Sequence, residues 1–151
     1  IHRFAADVML GRLARWLRII GYDTIYRNDF EDLELLRIAL KENRILLTRD
    51  RQLAEISKNK ALLIISDLPR EQLVQIIERF ELKTIPVLRY CPVCNGRIKA
   101  VQSKKEIINR VPRYVYSTID DFFACTGCGK IYWKGTHIDL AKDYINNIYE
   151  H

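Results

Sequence analysis

The feature that most restricts how this chain can fold is a rhythm of short apolar runs, each followed by a stretch with helical periodicity. FAA leads into LGRLARWLRII, and Thr24 to Tyr26 into DFEDLELLRIALKEN. RILLT, ending at Thr48, leads into Asp50 to Lys58, and Ala61 to Ile65 into Arg70 to Phe80. The strands are continuously apolar and do not alternate, which requires cover on both faces. That pattern predicts a parallel sheet between helical layers, a doubly wound α/β fold. The usual strand order for such a unit is 2-1-3-4. From about Thr84 the rhythm stops, and Pro86 marks the expected boundary between an α/β domain over 1–86 and a second unit over 87–151.

The opening stretch, Arg3 to Gly21, combines a strand, an aspartate at its end and a helix rich in arginine. Leu10, Leu13, Leu17 and Ile20 make an apolar stripe, and Gly21 is a natural stop. Arg12, Arg15 and Arg18 fall on the other side of the wheel as a positive ridge without a carboxylate among them. Trp16 flanks the stripe and reads as packing.

In a parallel α/β sheet the loops leaving the strand C-termini share one edge, where ligands bind. Asp7, Asp50 and Asp67 each follow a strand, and Asp29 and Asp32 lie between the second strand and its helix. Carboxylates gathered without cations repel one another unless a metal neutralises them, and oxygen donors with open positions suit Mg²⁺ or Mn²⁺. Aspartate is also the ordinary cap after a strand, and Asp67 fits that reading best.

Cys91-Pro-Val-Cys94 and Cys125-Thr-Gly-Cys128 use every cysteine in the chain. Two such knuckles, each followed by Asn or Gly, specify a four-cysteine zinc ribbon. Four thiolates close the shell, so this zinc is expected to be structural. A closing helix is expected from about Ile138 to Ile148. The chain carries a net charge of +6, and residues 87–151 hold ten basic against six acidic side chains, so the cation excess is concentrated around the ribbon. Tyr114, Tyr116, Tyr132 and Trp133 are interleaved with those cations, a composition that suits an RNA strand. No run approaches eighteen apolar residues and no charged leader with an apolar core opens the chain, so the expectation is a cytoplasmic protein with no membrane partner.

FAADVMLGRLARWLRIIGYDT, the D-x-x-L-L-x-x-A segment beginning at Asp32 and RILLTRD ending at Asp50 together resemble the Mut-seven C-terminal ribonuclease domain family. The cysteine module and the closing YWKGTH fit as well. The resemblance implies a PIN-like nuclease fold with an added zinc ribbon. It also implies a divalent metal held by Asp7, Asp32 and Asp50, with RNA as substrate. Arg12, Arg15, Arg18, Arg49 and His137 are the expected nucleic-acid contacts, His137 matching a position typical of the family. The glutamate that PIN-like nucleases carry in mid-domain has no counterpart, and Gln52 stands where a further aspartate often follows T-x-D. Two functions therefore stand side by side. One is a Mg²⁺- or Mn²⁺-dependent ribonuclease whose ribbon grips RNA, and the other is a non-catalytic RNA-binding protein that keeps the fold.

Overall fold

Four short parallel strands, β1 (Phe4–Ala6), β2 (Thr24–Ile25), β3 (Ile45–Thr48) and β4 (Ala61–Leu63), lie in the order β2-β1-β3-β4. The computed structural model describes residues 2–85, 88–135 and 137–149, and the expected boundary at Pro86 lies outside them. Phe4 pairs with both Thr24 and Ile45, so β1 and β3 are direct neighbours at the centre of the sheet. Successive strand residues point to opposite faces. Phe4, Ala6 and Leu47 accordingly join one buried cluster, with Leu13, Leu17, Leu73 and Ile76 of α1 (Gly11–Ile19) and α4 (Pro69–Phe80). Ala5 and Leu46 join the other, with Leu35, Ala39 and Leu53 of α2 (Asp32–Lys41) and α3 (Arg51–Ser57). The result is the expected helix–sheet–helix sandwich.

Local chemistry sets the element ends. Pro69 begins α4, where its missing N–H costs nothing. Gly21 ends the first helical unit at φ +110, and a Cβ there would sit 2.6 Å from the Ile85 side chain, so backbone freedom and close approach both require glycine. Strand β4 departs from expectation. It stops at Leu63, is half-buried throughout, and leaves Ile65 67% exposed, because an edge strand has a neighbour on one side only.

The second unit is a three-stranded antiparallel sheet, β5 (Ile98–Ala100), β6 (Phe123–Cys125) and β7 (Ile131–Tyr132), followed by α6 (His137–Tyr149). Between β5 and β6 lies α5 (Arg113–Thr118), packed on a small cluster of Ile107, Val115, Phe122 and Ile131. The two units share a buried core. Helix α6 packs against α1, and Cys91, Cys125, Tyr132 and Ile145 belong to the same buried cluster as Phe4 and Leu13.

Candidate functional site

Because β1 and β3 are neighbours, the residues leaving their C-terminal ends meet. Asp7 follows β1 directly and is 7% exposed. Its Oδ1 accepts from the Val8 N–H at 2.6 Å, capping the 3₁₀ turn Val8–Leu10, and its Oδ2 accepts from Thr48 Oγ1 at 2.8 Å. The same Thr48 hydroxyl, fully buried, accepts from the Asp50 N–H at 3.0 Å. One oxygen thus ties the exits of the two central strands together. Asp50 caps α3, its Oδ1 accepting from the Gln52 and Leu53 N–H groups at 2.8 and 3.1 Å. Its Oδ2 makes no hydrogen bond among the described residues. Asp32 is exposed at the first turn of α2. Desolvation raises its carboxyl above the usual aspartate value, and the charges of Asp7 and Asp50 raise it further. Asp32 therefore lies within the field of the other two acids.

Their spacing is looser than that of the cysteines. Among the described residues, the group whose potential ligand atoms all lie within 4.8 Å of one another is Cys91, Cys94, Cys125 and Cys128, and the three aspartates do not meet that spacing. The other acids along the edge are engaged elsewhere or apart. Asp29 pairs with Arg27 at 2.8 Å. Ser66, not Asp67, organises the start of α4, accepting from the Leu68 N–H and donating to Glu71.

Arg12 and Arg15 are exposed on α1, as a ridge for an anion requires. Arg18 is not, which corrects the expectation for that residue. It is 5% exposed, its Nε donating to Thr24 O at 2.9 Å and its Nη1 to Pro92 O at 2.8 Å. Burial lowers its pKa, against the opposing pull of Cys91, Cys94 and Asp23. A helical wheel assigns one buried face, whereas α1 is enclosed by the sheet and α4 on one side and by the first cysteine knuckle and α6 on the other. Arg49 is half-buried, with Nη2 on Ile65 O at 3.3 Å and a buried Nε that has no partner among the described residues. The side chain of His137 lies outside the described residues.

The cysteine quartet fits a tetrahedral ion. Zinc–sulfur bonds of about 2.3 Å imply sulfur–sulfur edges of about 3.8 Å, and Cys91 and Cys128 stand 3.8 Å apart, Cys94 and Cys125 3.4 Å. Backbone amides back the sulfurs: Gly96 N–H reaches Cys94 Sγ at 3.3 Å, and Gly127 and Cys128 N–H reach Cys125 Sγ at 3.3 and 3.4 Å. A Cβ on Gly96 would lie 2.6 Å from Cys125 Sγ, so glycine is required there. Burial pushes the Cys125 thiol up, but hydrogen bonds from the Cys128 and Gly127 amides and from the Cys94 and Cys128 thiols together outweigh it and bring the pKa down to about 7. The Tyr132 hydroxyl lies 3.0 Å from Cys91 Sγ and seals the inner side.

Two sets of residues escaped the sequence reading. Thr48 is one, though T-x-D placed it two residues before an acid. The other joins the knuckle to the sheet. Asn95, at φ 68, accepts from the Thr24 N–H at 3.1 Å and donates to Asp23 Oδ1 at 2.7 Å, and Arg44 donates to the same oxygen at 2.7 Å. An asparagine directly after C-x-x-C was the available signal.

A family model described as the Mut7-C RNAse domain matches residues 2–145. The chain belongs to this family. The matched range spans both the acidic edge and the cysteine quartet. No curated protein and no solved structure matches the chain.

Proposed function

We propose that this Mut7-C chain is a metal-dependent ribonuclease of PIN-like type that hydrolyses RNA phosphodiester bonds at the β1/β3 edge, with a structural zinc in the ribbon and RNA held partly by that ribbon. The observation that carries the reading is the acidic edge itself. Asp7 and Asp50 leave the two central parallel strands and are linked through the Thr48 hydroxyl, and Asp32 lies at the start of α2 within the field of both. No cation among the described residues pairs with any of the three at ion-pair distance, whereas half-buried Asp23 is paired with Arg44. Hard oxygen donors of this kind suit Mg²⁺ or Mn²⁺, which Mg²⁺ sites commonly hold through one or two carboxylates and several waters.

When bound, such an ion lowers the pKa of water and offsets charge on the leaving oxygen. The chain's residues do the positioning. Thr48 and the Val8 amide fix the Asp7 carboxylate, the α3 amides fix Asp50 with one oxygen left free, and Asp32 supplies a third anion from α2. Arg12 and Arg15, on the helix that begins just beyond Asp7, hold the phosphate. The zinc ribbon takes no part in the chemistry, because four thiolates leave no open position.

A binding protein without chemistry is the second reading, favoured by one observation: Asp7 and Asp50 each already serve as a helix cap. The deciding experiment is incubation of purified protein with end-labelled single-stranded and structured RNAs in Mg²⁺, in Mn²⁺ and in the absence of either. Cleavage that requires the ion supports the enzyme. Tight RNA binding with no cleavage under any condition establishes the binder.

A further inference from the structure

The segment between the knuckles is longer than metal closure needs. Thirty residues separate Cys94 from Cys125, where about 15–20 suffice for a paired C-x-x-C site. The surplus builds a feature of its own: the 3₁₀ turn Lys104–Ile107 and helix α5 fold around the small cluster of Ile107, Val115, Phe122 and Ile131. Beside it lies a pocket of about 360 Å³ lined by Ile108, Asn109, Val111, Arg113 and Tyr116, a volume inside the usual range for small-ligand sites of roughly 300–1,000 Å³.

The lining is unusual in what it leaves unused. Ile108 is 52% exposed, an apolar wall open to solvent. The Asn109 amide and the Arg113 guanidinium make no hydrogen bond or ion pair among the described residues, although their neighbour Arg110 is committed to Gly129 O. Tyr116 contributes a half-buried ring, with Lys104 Nζ 4.6 Å from its centroid. From residue 103 to 118 the charges are Lys104, Lys105, Arg110 and Arg113 against Glu106 alone.

An apolar and aromatic wall, one uncommitted amide and one uncommitted cation match the three parts of a nucleotide: a flat base, a base edge with donors and acceptors, and a phosphate. We propose that this pocket receives one unpaired base of the RNA strand, with Asn109 reading the base edge and Arg113 holding an adjacent phosphate. The assignment rests on the ribonuclease reading and adds to it a preference for single-stranded RNA anchored at the ribbon.

The test is fluorescence anisotropy of the zinc-loaded full chain with labelled ten-nucleotide homopolymers of U, A and C, without added Mg²⁺ or Mn²⁺, over a salt series. Arg113→Ala is expected to weaken all three and to flatten the salt dependence by about 0.7 unit, one single-strand phosphate contact. Asn109→Ala is expected to weaken the preferred homopolymer about 5- to 10-fold and level the preference. Lys41→Ala, at the far end of α2, should change neither. Both pocket side chains are exposed, so melting temperatures should hold. Independently of any variant, photo-crosslinking of wild type to RNA containing 4-thiouridine should label residues 108–116. Wild type that binds none of the homopolymers overturns the pocket, and absence of ion-dependent cleavage of structured RNA as well would overturn the ribonuclease reading. Wild-type binding that both variants reproduce, or crosslinks found only elsewhere, overturns the pocket alone and leaves the nuclease reading standing.

Discussion

Thr48 ties two acids at the strand ends together through one uncharged atom. Its buried hydroxyl donates to Asp7 and accepts from the Asp50 amide, so Thr48→Val keeps the shape and removes both links. The expected cost is about 1–3 kcal/mol of stability, measured by chemical denaturation, together with slower cleavage at unchanged RNA affinity. Asp32 predicts the opposite sign. Its raised pKa means the folded chain holds that proton more tightly than the unfolded chain does, so the contribution is favourable below the unfolded value and is lost as pH rises through the folded one. At neutral pH, Asp32→Asn should therefore raise the melting temperature without divalent ion and reduce the further gain from Mn²⁺. A mutant that melts lower in both conditions would remove Asp32 from the cluster. Asp7 and Asp50 were legible in the sequence because each follows a strand whose apolar character is plain. The role of Thr48 was not, since a threonine closing a strand is also an ordinary β-branched filler.

At the scale of elements, α1 carries the clearest lesson. Its periodicity located the helix and the face formed by Leu13 and Leu17, but could not tell that a segment more than seventy residues away would close over Arg18. Arg12→Ala and Arg15→Ala should each stay within about 0.5 kcal/mol of wild-type stability, while reducing the salt dependence of RNA binding. Arg18→Met should cost about 2–4 kcal/mol, because it strands the Thr24 and Pro92 carbonyls in a buried place. Equal stability of all three variants would refute a structural role for the Arg18 hydrogen bonds. The same junction sets an acid limit. Burial pushes Asp23 up, but hydrogen bonds from Arg44 and Asn95 prevail and hold its pKa below the usual value. That stability is present above the unfolded pKa and disappears as pH falls through the folded one. Asn95→Ala should therefore lose stability at neutral pH and lose less at strongly acid pH, as followed by acid titration of circular dichroism.

Across the whole molecule, the sheet order and the cysteine quartet could be read from the chain, because continuous apolar strands and paired C-x-x-C knuckles each admit few arrangements. The union of the two halves could not. The change of pattern near Pro86 suggests an appendage, yet α6 returns to α1 and the knuckle cysteines share the core of the α/β layers. Cys125→Ser should therefore lower the stability of the full chain in a single transition, and not merely loosen residues from about 87 onward. A calorimetric trace with an early ribbon transition and an unchanged later one would contradict this. On the proposed reading, a divalent ion and RNA meet at the edge between β1 and β3. The most direct test of this is the single-turnover cleavage rate of a labelled RNA against Mn²⁺ concentration, for wild type and Asp50→Asn. Asparagine keeps the α3 cap and removes one anion, so the half-saturating Mn²⁺ concentration should rise about tenfold or more and the plateau should fall. Superimposable curves would contradict it and place the chemistry elsewhere.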